Sequence, residues 1–171
     1  METEHGPQGG DEINFIVEYG NYGWPYTTYG TEYGTTSWPL NPGAHDHGEY
    51  REPAIAFVPS PAISSIIEVR GSEFPNWTGD LMASSLKTEA LYRVRVKGDR
   101  IIYVASFSLG LRVRDLIQTA NGRILVWSDT AATLLLLSRD DQVDVYASFC
   151  AGCHNPKFGT ASGPTLEGVV G

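Results

Sequence analysis

The chain is 171 residues long, with 42% hydrophobic residues, 12 Lys+Arg against 20 Asp+Glu and a formal net charge of −8. That length and apolar content suffice for a buried core, while the acidic balance leaves no basic footprint for a nucleic-acid backbone or an anionic lipid surface. The longest apolar run, Ala131 to Leu137, is far below the ~20 residues that cross a bilayer, so no membrane span is expected.

In chain order, the first fifty residues are dense in Gly, Pro, Asn and aromatics, and only Ile13 to Glu18 reads as a strand there. His45 and His47 fall on a turn in this stretch and read as loop residues. From Ala54 onward, short β-rich runs recur about every ten residues between turn signals. They are Ile63 to Val69, Asp80 to Ser84, Leu91 to Val96, Ile101 to Ser106, Leu111 to Gln118, Ile124 to Ser128 and Thr133 to Leu137. Such spacing implies antiparallel meanders, with one four-stranded unit over Ile63 to Ser106 and three strands of a second after it. The chain is therefore expected to be mainly β, a partial propeller of two to three blades. A single β-sandwich built from the same seven strands is the alternative.

Composition changes at Ser138-Arg139-Asp140-Asp141, after which Val143, Tyr146, Ala147 and Cys150 fall at helical spacing. This predicts a boundary between residues 1–138 and 139–171. The second segment is too short to hold itself together without a cofactor or metal.

Both cysteines lie in Cys150-Ala151-Gly152-Cys153-His154. Two thiols two residues apart can bond to the vinyl groups on one haem edge while the adjacent imidazole ligates the iron, so the run reads as a c-type haem attachment site. Zinc would need a second ligand pair, and a redox dithiol would not need the histidine; these and a fortuitous pair are the alternatives. With the flanks Tyr146 to Phe149 and Gly163-Pro164-Thr165-Leu166, the segment resembles the start of a class I cytochrome c. Only Met1 and Met82 are methionines, so that haem fold is expected to be truncated, without its sixth ligand.

Two further patterns admit two readings each. Glu4 to Asn14 followed by Asn21 to Pro25 places carboxylates, amides and tight turns together, which suits either Ca²⁺ or a plain acidic turn leading into a strand. Arg112 and Arg114, two apart in a predicted strand, share a face and either bind an anion between them or are neutralised by Asp115.

Taken in order, His5 to Asn14, Asn21 to Pro25, Pro59-Ser60, Ser85-Leu86-Lys87 and Arg112 to Asp115 resemble the C-terminal part of the soluble sugar dehydrogenases that use pyrroloquinoline quinone (PQQ). These belong to the glucose/sorbosone dehydrogenase family of six-bladed propellers. The resemblance implies calcium at the PQQ, held near the carbonyls of Gly6 and Pro7 with His5 and Asp11 beside them. It implies a second, structural calcium at Glu12 and Tyr22. Lys87, Arg112, Arg114 and Ser60 are implied to contact PQQ; Val58 stands where several relatives place an aromatic two residues before that serine, with Phe57 one step away. With Cys150 and Cys153 bonded to haem and His154 on its iron, the implied enzyme is a quinohaemoprotein oxidising a sugar substrate and feeding a downstream electron acceptor. The family's base lies in an earlier blade, so no catalytic residue is expected here. The sequence is expected to be an internal fragment of a longer enzyme, periplasmic or extracellular although no signal peptide is present. A β adapter that only presents a haem, without catalysis, is the alternative.

Overall fold

The computed structural model describes residues 1–31, 33–34, 47–130 and 132–139. His45, Cys150, Cys153, His154 and nearly all of the expected cytochrome segment, residues 139–171, lie outside the described residues. By its internal contacts the chain divides into Met1–Ser138 and Arg139–Gly171, and the fold below is that of the first unit.

Three antiparallel sheets make up this unit. The first joins β1 (Glu2–Glu4), β2 (Asp11–Asn14) and β3 (Ile55–Phe57); the second joins β4 (Ile63–Glu68), β5 (Leu81–Ser85), β6 (Ala90–Lys97) and β7 (Arg100–Ser108). β8 (Val113–Gln118), β9 (Ile124–Ser128) and β10 (Thr133–Leu137) form the third. One 3₁₀ turn, Pro75–Trp77, is the helical element among the described residues.

The second sheet is a middle layer, and the period of two explains why. In β5, Met82 and Ala83 point to opposite faces. Met82 joins Val69, Leu91, Val113, Leu116, Ile124 and Val126 in one buried cluster, whereas Ala83 joins Ile13, Ile63 and Val94 in another. One cluster thus cements the second sheet to the third and the other cements it to the first. Three stacked layers meet the propeller expectation and not the two-layer sandwich.

From Ile63 onward each predicted strand is present within two residues of its expected ends. The N-terminal strand is a correction: Asp11–Asn14 pairs, not Ile13 to Glu18. After Asn14 the backbone is taken by a side chain, since the Tyr22 hydroxyl donates to the Phe15 carbonyl (2.5 Å) and accepts the Val17 N–H (3.1 Å). The expected strand from Leu111 likewise starts only at Val113, with a register shift between Val113 and Asp115. Arg112 therefore precedes the strand and Arg114 sits at its irregularity.

Candidate functional site

The chain between β1 and β2 makes a tight bend through Gly6, Pro7, Gln8, Gly9 and Gly10. Gly9 (φ 94°) and Gly10 (φ 73°) occupy the left-handed region that glycine alone visits easily. Asp11, fully buried at the start of β2, ties the bend to the middle sheet: one carboxylate oxygen accepts the Gly6 N–H (3.0 Å), the other the Ile63 N–H (2.9 Å). Gly10 N–H donates to the Phe57 carbonyl (2.8 Å), and Gln8 exchanges two backbone bonds with Thr31 (2.7 and 3.0 Å).

The Pro59–Ala62 loop approaches the same bend. Leu86 N–H donates to the Ala62 carbonyl (2.9 Å) and Lys87 N–H to the Pro61 carbonyl (3.0 Å), so Lys87, just past β5, lies beside Ser60. The Ser60 hydroxyl accepts the Ala62 N–H (3.3 Å). Together these segments enclose a recess of about 270 Å³ whose wall carries His5, Gly6, Pro7, Asp11, Ser60 and Lys87. All six were expected at one cofactor site. Gln8, Gly9, Tyr33 and Ala62 complete the wall; Gln8 and Gly9 belong to the bend itself and Ala62 follows Ser60 by two residues, whereas Tyr33 comes from a separate loop that nothing in its local sequence marks.

Neither Arg112 nor Arg114 lines this recess, and only Arg112 reaches its edge. Arg112 Nη1 donates to the Leu86 carbonyl (3.3 Å), one residue before Lys87. Arg114 grips Asp129 through Nη2 (2.6 Å) and Nε (3.1 Å), while Arg112 Nε is 3.9 Å from the same carboxylate. Asp129, not Asp115, is the carboxylate that faces the pair, and it offsets one of the two positive charges. Hydrogen bonding from Arg114 holds the Asp129 carboxyl below the usual carboxylate range. Asp115 instead accepts bonds from the Ser65 hydroxyl (2.8 Å) and the Leu116 N–H (2.8 Å).

Glu12 and Tyr22 line a second, smaller recess that shares His5 and Gly6 with the first, with Glu4 across from Glu12 in the β1–β2 ladder. Burial pushes the Glu12 carboxyl up to about 7; the Asn14 amide opposes this, and the carboxylates of Glu4 and Glu52 add to it. Among the described residues, the Oδ1 of Asn14 is buried without a hydrogen-bond partner. A strained carboxyl beside an orphaned carbonyl oxygen is a donor set that fits a hard cation. Among the described residues no group of three or more His, Cys, Asp or Glu could hold a metal by itself, so backbone oxygens would have to complete either site. His47, expected on a loop, is 1% exposed and stacks on Tyr29 at 4.9 Å.

A sequence model described as Glucose / Sorbosone dehydrogenase matches residues 1–137. The chain belongs to this family. Aldose sugar dehydrogenase YliI of Escherichia coli (strain K12) is 33% identical over 136 residues, covering 78% of this chain and 36% of that protein. Among solved structures, a glucose dehydrogenase crystal structure superposes with a TM-score of 0.71 at 30% identity, covering 82% of this chain and 40% of that one. The PQQ-bound aldose sugar dehydrogenase of Streptomyces coelicolor, at TM-score 0.55 and 18% identity over 80% of this chain and 38% of its own, shares the fold. The chain spans about a third of the length of the curated relatives it matches. Among the described residues no helix is long and apolar enough to cross a membrane.

Proposed function

We propose that this chain supplies the cofactor-holding part of a sugar dehydrogenase that oxidises a sugar hydroxyl with PQQ, working in the periplasm or outside the cell. Residues 1–138 are the partial propeller. Residues 139–171 begin a cytochrome c domain whose haem, on Cys150, Cys153 and His154, passes electrons to a downstream acceptor. What supports the quinone reading is convergence: three separate segments, His5–Asp11, Ser60 and Lys87, meet at one recess.

When bound, PQQ supplies a hydride acceptor and calcium a Lewis acid for its quinone oxygens. The chain's own residues do the holding. Gly6 and Pro7 offer backbone carbonyls to calcium, with His5 and Asp11 beside them, and Asp11 keeps Gly6 in place through its N–H. Lys87 brings a compact positive charge to the recess, Arg112 a planar one from the Leu86 side, and Ser60 a hydroxyl. Arg114 adds to the positive field while anchored to Asp129. Glu12 and Tyr22 hold a second calcium that braces loops. We assign the proton-abstracting base to none of these residues.

The test is a titration of the full chain with PQQ in Ca²⁺ or in EDTA, followed by tryptophan quenching. Binding in Ca²⁺, lost in EDTA and weakened at least ten-fold by Lys87→Ala, is the expected result. No binding in either condition sinks the quinone reading. For the haem, expression with the cytochrome c maturation machinery should give a covalent haemochrome band that Cys150→Ala and Cys153→Ala abolish; no band in the parent chain would remove the cytochrome assignment and leave a haem-free protein.

A further inference from the structure

We infer that Gly30 is a positioning residue for the Gly6 and Pro7 carbonyls, acting through the Pro7 ring; the inference rests on the calcium and PQQ reading above. The glycine is needed for space and not for its dihedral angles. Its backbone lies outside the positive-φ region, unlike those of Gly9 and Gly10. A Cβ built on Gly30 would fall onto the Gly9 carbonyl oxygen and lie 2.6 and 2.8 Å from Cδ and Cγ of Pro7. Bare backbone is thus pressed against the proline ring.

The segment carrying Gly30 is tied down on both sides, so an added methyl cannot be absorbed by its retreat. On one side the Tyr29 hydroxyl donates to Glu52 (2.6 Å) and its ring stacks on the buried His47. Thr31 pairs with Gln8 through two backbone bonds, and its hydroxyl adds a third to the Gln8 carbonyl (3.1 Å) on the other. Gly30 N–H itself donates to the Thr28 hydroxyl (3.1 Å). Pro7 has less freedom still, because its φ is locked by the ring. Its nitrogen carries the Gly6 carbonyl and its own carbonyl follows one residue on. Displacing the ring therefore turns both oxygens together. Because Gly6 is held by Asp11, the turn cannot be relieved upstream.

Calcium is sensitive to this motion because its oxygen ligands must lie about 2.3–2.6 Å away. The test measures, on the full chain, the Ca²⁺ concentration that gives half-maximal PQQ binding, together with the thermal midpoint. Gly30→Ala should raise that concentration about ten-fold or more. Gly98→Ala, at φ 63° with open space around its Cβ on the β6–β7 turn, should lower the midpoint and leave the Ca²⁺ requirement unchanged. Should Gly30→Ala not fold, Thr31→Val, which removes only the hydroxyl bond to Gln8, should raise the requirement two- to three-fold. An unchanged Ca²⁺ requirement in a folded Gly30→Ala, or in Thr31→Val where the first does not fold, overturns the positioning role and leaves the quinone reading standing. A rise that merely tracks the fall in midpoint, in Gly98→Ala as in Gly30→Ala, also overturns it. Failure of the parent chain to bind PQQ with Ca²⁺ overturns both.

Discussion

The tripeptide Arg-Val-Arg occurs twice, at Arg93–Arg95 and at Arg112–Arg114, and the two copies have opposite fates. In both the central valine is fully buried, Val94 in the cluster against the first sheet and Val113 in the cluster against the third. In both the arginines flank one aspartate. Arg93 and Arg95 lie inside strand β6, paired on both sides of Val94 and ahead of a register shift that falls after Arg95, and close on Asp80, itself buried, with Nε bonds of 2.5 and 2.8 Å; both also donate to the Asn76 carbonyl. That cation pair is saturated. Arg112 and Arg114 straddle the irregular start of β8, only Arg114 closes fully on the half-exposed Asp129, and Arg112 reaches toward the Leu86–Lys87 turn. One motif makes a structural clamp and the other leaves positive charge beside a recess; the first lies inside its strand and the second straddles a strand start, and that placement decides which.

The largest test of this contrast is removal of each aspartate. Asp80→Ala leaves the mostly buried Arg93 without its partner and should cost about 3 kcal/mol in urea unfolding, the low end for breaking a buried pair because Arg95 keeps contact with water. Asp129→Ala should leave the unfolding midpoint unchanged within error, since exposed pairs contribute little. Equal losses would erase the distinction. The same clamp has a pH signature. Burial alone would raise the Asp80 carboxyl, but hydrogen bonds from Arg95 and Arg93 outweigh it and hold it below its ordinary value. Its contribution is therefore present above about pH 4, the unfolded value, and lost as pH falls through the depressed one. Asp80→Asn should flatten the acid limb of stability against pH below about pH 4, whereas Asp129→Asn in 0.5 M salt should not.

Next in size, the valines should behave alike. Val94→Ala and Val113→Ala each remove two buried methyl groups and should each cost about 2 kcal/mol by urea unfolding, transfer and cavity terms together. If the Val113 variant lost much less, the irregularity at β8 would extend into the core, and Arg112 would owe its freedom to loose packing and not to strand register.

These cases also mark what sequence can carry. The strands from Ile63 to Leu137 were legible because short β-rich runs recur there between turn signals at a spacing of about ten residues. β1 was not, since Glu2-Thr3-Glu4 has no apolar face and is a strand only because β2 lies opposite. β3 was missed because three residues, Ile55–Phe57, are too few to show a period. At the recess, His5, Gly6, Pro7, Asp11, Ser60 and Lys87 could be grouped only by family resemblance, and their meeting depends on bonds between segments more than fifty residues apart, as between Asp11 and Ile63. Gly30 carried no signal, because a glycine required for space looks like any other in a glycine-rich stretch. Asp129 was overlooked as partner of Arg114 because the adjacent Asp115 seemed the nearer choice, yet the β8–β9 ladder sets Val113 opposite Ser128 and so brings Asp129 across.

The smallest expected effect on stability is the most informative about function. Arg112 makes one side-chain bond to a carbonyl at 3.3 Å and a loose 3.9 Å approach to Asp129, so Arg112→Ala should leave the unfolding midpoint unchanged. If its guanidinium serves a carboxylate-bearing quinone, the same variant should weaken Ca²⁺-dependent PQQ binding about ten-fold, and Arg112→Lys should recover only part of that, because a point charge cannot reproduce a two-pronged contact. Arg93→Ala supplies the reverse pattern, a falling midpoint with PQQ affinity retained in the folded fraction. A chain in which Arg112→Ala bound PQQ as tightly as the parent would show that the second Arg-Val-Arg is a weaker copy of the first clamp, and the cation facing the recess would then be Lys87 without help from the third sheet.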